Sequence, residues 1–415
     1  MEQLPDELHS GYLQKTVDEH AAAFPEQSVD QVREGLVERF GFPSWTELTR
    51  YVDVVVDECM TPLEQSIIED DAIAVRAIVR SDPGILRRQV HWIRRNRRNQ
   101  FLPLAYSAYC GSVESIRVLL DAGVDIHAKD DQALRAASYF DSNIRAVELL
   151  LDNGADPNAT TRSAGRISYS VFDYPCMTLA PGIMQLLIDR GAKPKQKNAG
   201  MIFASNERKP AQKAACINVL VEAGFAFPDT APVAIHRRNT DRLTQMFEEG
   251  TVYVDSRFQE HEIFPNEKDE LQVSPYAYVV PLTGGVTLLH LAVELCDIDM
   301  ATFLLASGAD VNARSDYCAD GYGGWTPLFH SVATLHQPRR FAGMAALLLE
   351  NGADPTMRGS IRKPLAEDGG TWATWCDVTA VDFARSQSTT DLVNEAALEL
   401  IAAFERGSGE STMIK

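Results

Sequence analysis

The hydrophobic positions of this chain recur as paired short stripes punctuated by glycine. In "LPLAYSAYCGSVESIRVLLDAG" (102–123), Leu104, Ala108, Ile116, Leu119 and Leu120 fall at helical spacing on two segments divided by Gly111. The spacing predicts two helices too short to be stable alone, so each pair must bury its stripe against neighbours. Gly111 suits the tight turn between them, and Gly123 suits a left-handed helix end. The end of this unit returns as "LLLDNGADPNA" (149–159), "LLASGADVNA" (304–313) and "LLLENGADPT" (347–356). Looser copies end at Gly191, Gly224 and Gly250. Its beginning returns as "TPLEQSII" from Thr61, "TLLHLAVE" from Thr287, "TPLFHSVA" from Thr326 and "TAVDFARS" from Thr379.

A period of about 33 residues carrying T-P-L-H and L-L-x-x-G-A-D resembles the ankyrin repeat. The resemblance runs from residue 61 to 400 and implies an all-α repeat solenoid, an ankyrin array of about eight or nine helix-turn-helix units. It also implies hairpin fingers along one edge of a concave groove. The stretches 170–191, 201–224 and 232–250 depart most from the pattern, which leaves the unit boundaries within 160–285 open. In the family, a histidine placed like His290 resembles a bracket, hydrogen-bonding within its own turn and to a neighbouring loop. The other reading of His290, a metal pair with Glu294 one helical turn on, lacks a third ligand.

Residues 1–60 lack the unit. "SVDQVREGLVERFGFPSWTELTRYVDVVV" (28–56) reads as two amphipathic helices, with Val29, Val32, Leu36 and Phe40 on the first. Gly41 and Pro43 break it, and Ser44 with Glu47 forms a capping box for the second. "GFPSW" followed by "EL" is similar to the helical preamble of certain bacterial ankyrin-repeat proteins. The segment is expected to cap the array's first apolar face, the alternative being a separate binding module. Residues 401–415 read as a C-terminal tail.

Composition narrows the function. The 415 residues carry a net charge of −19, which argues against non-specific nucleic-acid binding. No apolar run is long enough to span a membrane and the N-terminus has no apolar signal core. Seven scattered cysteines without a C-x-x-C pair point to a reducing, cytoplasmic setting and to neither disulfides nor structural zinc.

Four stretches exceed a plain repeat. The finger 87–101 holds six arginines within twelve residues. Arg94, Arg95, Arg97 and Arg98, with Trp92 as a stacking surface, could dock an acidic peptide, a carboxylate or a phosphate, or be neutralised by neighbouring acids. The insertion 255–285 mixes acids with Phe258, Phe264, Tyr276 and Tyr278 and either serves binding or is a tolerated loop. The finger 313–325 carries Asp316, Tyr317, Tyr322 and Trp325 among Gly321, Gly323 and Gly324, which permit unusual backbone angles or close approach of a ligand. Alignment with the other units gives His330 and Tyr106 a shared position that, in the family this chain resembles, faces the groove, where they would suit recognition, unless the aromatics fill a core of their own. The finger 358–378 offers Arg358, Arg362 and Lys363 beside Trp372 and Trp375. These last two fingers and the insertion are expected side by side, walling a pocket in the C-terminal half.

Signatures of nucleotide, zinc-protease, hydrolase or kinase chemistry are missing, so no catalytic, cofactor or metal residue is assigned. The expected function is a non-enzymatic scaffold that binds another protein through groove and fingers. The alternative is an enzyme or small-ligand protein, in which His261, His290, His330 and His336 converge with Asp316, Asp320 or Glu294.

Overall fold

The computed structural model describes residues 17, 28–40, 45, 61–87, 90–94, 97–161, 169–205, 207–265, 280–282, 284–333, 342–364, 372–387 and 393–412. The described chain divides into two compact units, 1–171 and 172–415.

The first unit contains a helix α1 (Val29–Phe40), on which Val32 is buried while Val29 stays exposed. The capping box expected at Ser44 lies outside the described residues. Three helix pairs follow: α2 (Pro62–Ile68) with α3 (Ala72–Ser81), α4 (Pro103–Cys110) with α5 (Val113–Asp121), and α6 (Ala128–Ala137) with α7 (Ile144–Asp152). The second unit continues with α8 (Asp173–Thr178) and α9 (Pro181–Asp189), α10 (Gln196–Ala204) and α11 (Pro210–Glu222), and α12 (Ala231–His236) and α13 (Thr240–Glu248). A one-turn helix α14 (Glu260–Ile263) stands in the insertion. Then come α15 (Leu288–Glu294) with α16 (Ile298–Ala306), α17 (Pro327–Val332) with α18 (Gly343–Glu350), and α19 (Ala380–Arg385) with α20 (Glu395–Thr412). Helix α20 runs through residue 400, where the sequence placed the start of a tail.

The chemistry of each pair is local. Thr61 caps α2 and Thr379 caps α19, each in a reciprocal capping box with the acid three residues on. In five of the pairs the turn between the helices holds one residue at positive φ. Gly111 supplies it between α4 and α5 at 72°, but Asp70, Leu179, Arg238 and Cys296 hold the same position at 51° to 58°. A side chain there carries a steric cost of about 1–2 kcal/mol, and two of the four use it to reach the next pair. Asp70 accepts from the N–H groups of Glu114 and Ser115 at the start of α5. Arg238 forks onto Asp297 and Asp299 at the start of α16. These stitches add to apolar burial, in which Ile116, Leu119, Leu150, Leu220 and Leu304 are each sealed from solvent. Burial of one such side chain contributes about 1.5–3 kcal/mol.

Three two-stranded antiparallel sheets interrupt the helices among the described residues. Strands β1 (Val90–Arg94) and β2 (Arg97–Phe101) form the arginine-rich finger, with Trp92 opposite Asn99 and Arg94 opposite Arg97. Strand β3 (Arg257–Phe258) pairs with β4 (Val286–Thr287), closing the base of the insertion. Strands β5 (Arg358–Pro364) and β6 (Trp372–Thr379) form the last finger.

Candidate functional site

Two groups of residues in the second unit carry chemistry beyond repeat packing. The first is the finger edge. The loop 313–326 lies between the other two fingers and is tied to both. The Asp316 N–H donates to the Gly284 carbonyl at 2.7 Å, and Gly323 and Ser360 exchange both backbone hydrogen bonds at 2.8 Å. Arg314 Nη1 donates to the carbonyls of Gly324, at 3.2 Å, and Arg358, at 2.8 Å. Arg257 donates to the Arg314 carbonyl and pairs with Asp316 at 3.2 Å. The fingers at 313–325 and 358–378 therefore do stand side by side, with the insertion's base beside them.

The glycines here serve the finger itself. Gly323 holds φ at 149°, and a Cβ on it would collide with the backbone of Asp316 and Tyr317; a Cβ on Gly324 would strike the Tyr317 ring. The close approach that these glycines permit is thus that of the finger's own chain. Gly323→Ala is expected to cost about 1–3 kcal/mol, read as a lower denaturation midpoint of the C-terminal unit.

Outward from this lattice sit the exposed anchors. Arg362 lies over the Trp372 ring at 4.2 Å and faces the Tyr322 ring at 5.7 Å, while its Nη1 donates to Asp320 at 3.0 Å. Trp372 is 43% exposed and Tyr317 58% exposed, unusual for large aromatic side chains. Arg358 is half-exposed and pairs with Asp377.

The second group lies inside. His290 is buried and both ring nitrogens are engaged. Thr287 donates to Nδ1 through its N–H at 3.2 Å and its hydroxyl at 2.9 Å, and Nε2 donates to the Trp325 carbonyl at 3.2 Å. Burial, reinforced by His330, pushes its pKa down to about 3. A neutral, doubly bonded imidazole of this kind brackets its turn to the next finger and has no lone pair left for a metal. Glu294, one helical turn on, does not face a shared ligand with it. It accepts instead from Arg208, on the α10–α11 loop, and from Nδ1 of His330 at 2.6 Å. All three side chains are buried. Nearby, the buried Lys213 donates from Nζ to the carbonyls of Phe203 and Ser205, both at 3.0 Å, closing the end of α10. Desolvation lowers its pKa to about 7, with Arg208 adding and Glu294 opposing. Lys363, from β5, is also lowered by burial and held up by Glu294.

Three expected recognition residues prove to be interior. Tyr106, Trp325 (4% exposed) and His330 (0%) are buried, so they present no surface to a partner. Tyr106 is pushed far above the usual phenol range by desolvation. The reason at His330 is its carboxylate partner, and at Trp325 the packing of Gly359 against its backbone. Of the proposed histidine convergence, His290, His330 and Glu294 do come together. His261 is exposed, Asp316 and Asp320 lie on the outer finger, and His336 lies outside the described residues. In the arginine-rich finger the backbone of Trp92, Arg94, Arg97 and Arg98 is in the β1–β2 hairpin, and Arg95 lies outside the described residues. Arg208 and Lys213 were missed in the sequence, since neither stands in a recognisable motif. Among the described residues no cluster of three or more histidine, cysteine or acidic side chains could hold a metal ion.

Repeated helix pairs with interposed fingers define a repeat solenoid. The family model "Ankyrin repeats (3 copies)" matches residues 61–161 and the model "Ankyrin repeat" matches 284–316. The chain is an ankyrin-repeat protein. Among solved structures, the human ASB11 ankyrin repeat domain is 19% identical, with 72% of this chain and 96% of that chain covered and a TM-score of 0.27. No curated protein matches the sequence.

Proposed function

We propose that this protein is a non-enzymatic binding module for another protein, and that the finger edge of its C-terminal unit is the docking face. Ankyrin repeats are in general protein-interaction modules, and the stretches 61–161 and 284–316 match them. The observation that carries the choice of face is the stack of Arg362 between Trp372 and Tyr322, beside the exposed Tyr317. Tryptophan, tyrosine and arginine dominate the energetic centres of protein interfaces. Here they are set on backbone laced across three fingers, so little freedom is lost on docking. Arg358 and Asp316 form the charged rim of the same face.

In this reading residues 1–60 cap an array extending to about residue 400, and the arginine-rich finger is a second contact, for an acidic peptide. Six arginines within twelve residues give this finger the composition that carboxylate recognition uses. A cytoplasmic setting fits the free cysteines, of which Cys110, Cys318 and Cys376 are exposed. No helix of the described residues is long and apolar enough to cross a membrane.

The test is affinity capture from the source cell with wild-type protein and with Trp372→Ala/Arg362→Ala. The pair is expected to weaken capture of a specific partner at least about a hundredfold, as loss of two hot-spot residues would, without shifting thermal unfolding by more than a few degrees. Equal capture by both proteins would remove the finger edge from consideration.

A further inference from the structure

Four arginines stand along the finger edge, and each is tethered by the same nitrogen. Nη1 of Arg257 donates to the Arg314 carbonyl, Nη1 of Arg314 to the Arg358 carbonyl at 2.8 Å, and Nη1 of Arg358 to the Asp377 carbonyl. These three form a ladder in which each guanidinium rests on the backbone further along the edge. Arg362 is also held through Nη1, by Asp320. The remaining ion pairs use Nη1 again, Arg257 with Asp316 at 3.2 Å and Arg358 with Asp377 at 3.7 Å. Arg314 has no acid at ion-pair distance among the described residues, so four guanidiniums meet three carboxylates.

On all four the other side of the guanidinium, the fork of Nε and Nη2, finds no acceptor among the described residues. In Arg314 and Arg362, which are only partly exposed, neither fork nitrogen is sealed from water. What such a fork does is visible elsewhere in this molecule. Arg238 holds Asp297 by Nε at 2.7 Å and Nη2 at 3.0 Å, and Arg242 holds Asp229 by Nε at 3.0 Å and Nη2 at 2.7 Å. Paired N–H bonds of this kind are about twice as strong as neutral hydrogen bonds. At the finger edge the same fork is presented by side chains already fixed at their other nitrogen, so little freedom is lost when a carboxylate docks.

We infer that the row Arg257, Arg314, Arg358 and Arg362 receives an acidic, extended segment of a partner protein, its carboxylates held in the Nε–Nη2 forks; this rests on the finger edge being the docking face and names the chemistry of what docks there. The chain's net charge of −19 opposes an acidic partner at long range. Exposed charges are screened beyond about 8 Å at physiological salt, however. Recognition therefore lies in the short-range fork and not in net charge, which separates it from general attraction between opposite charges. The exposed rings of Trp372 and Tyr317 serve the apolar side chains of the same segment.

The experiment is fluorescence anisotropy of labelled decaglutamate with the full chain at physiological ionic strength. Arg94→Gln/Arg97→Gln/Arg98→Gln silences the arginine-rich hairpin, and saturable micromolar binding is expected to persist in that background, where the other variants are measured. Lysine in place of Arg257, Arg314 and Arg358 keeps the charge and a donor for each carbonyl but removes the fork. Affinity is then expected to fall about tenfold or more, as when a charged hydrogen bond is lost. Asp320→Asn/Asp377→Asn, on exposed side chains, removes competing acids and is expected to tighten binding about threefold, the worth of exposed ion pairs. Equal affinity of the arginine and lysine forms, loss of binding with the hairpin, or tighter binding of oligothymidylate than of decaglutamate overturns the assignment. So does a failure of Asp320→Asn/Asp377→Asn to tighten binding, which decides the matter if the lysine form does not fold. Partner capture tells the two readings apart. If Trp372→Ala/Arg362→Ala abolishes capture while the lysine form captures as well as wild type, the docking face stands and its acidic partner falls. If the alanine pair leaves capture unchanged, the face itself falls.

Discussion

Glu294→Ala is expected to destabilise the C-terminal unit by about 3–5 kcal/mol, the cost of leaving buried charges without their partner. The carboxylate is sealed from solvent and serves Arg208 and His330 at once. Its removal strands a guanidinium and an imidazole in the interior, and it also withdraws the charge that supports Lys213 and Lys363. Chemical denaturation should show the unfolding of residues 172–415 moving to lower denaturant while that of residues 1–171 stays in place. A companion variant separates the worth of the ion cluster from the cost of breaking it. Arg208→Met, Glu294→Leu and His330→Phe together replace all three partners with apolar groups and should recover most of the loss. If Glu294→Ala alone costs less than about 1 kcal/mol, the level of an exposed ion pair, the cluster is not the buried network described above.

Lys213 gives the protein an alkaline stability gain. Burial lowers its pKa from 10.5 to about 7, whereas the unfolded chain restores the ordinary value. Between those two pH values the unfolded state binds a proton that the folded state does not, so stability rises with pH. The contribution is complete above the unfolded value, falls away as pH drops through the folded one, and is flat below it. From pH 7 to pH 9 the gain is on the order of 2–3 kcal/mol. Lys213→Met should flatten this slope, and equilibrium denaturation at pH 7, 8 and 9 measures it. On the acid side His290, with its pKa near 3 in the fold, acts in a separate window. Its contribution is present above about pH 6.5 and is lost as pH falls toward 3.

The repeat was legible because its chemistry is local. Apolar stripes, Thr caps and the glycines that end each second helix all sit at fixed offsets, and His290 could be read as a bracket from its place after Thr287. The lateral order of the fingers was legible too, since neighbouring units must stack. What the sequence hid was pairing over distance. His330 follows Phe329 at a position expected to face a groove, and nothing nearby in the chain announces that Glu294 will cover its Nδ1. Arg208 is separated from Glu294 by 86 residues and occurs in "NERKP", a stretch with no periodic signal. The same limit applied to Trp325. Its ring reads as an anchor by composition, but Gly359 of β5 packs against its backbone, beside the bridge from Ser360 to Gly323, and the ring is taken inside.

The link from Arg208 to Glu294 has a consequence for how the molecule comes apart. In an ideal array each unit touches only its two neighbours, and unfolding can be treated as a row of coupled switches. Arg208 stands between α10 and α11, and Glu294 ends α15, so the link leaps the intervening pair α12–α13. A row of switches with a tie across one member loses its freedom to fray stepwise at that point. Drawn from its ends in an optical trap, this stretch should yield in a single large extension rather than as a staircase.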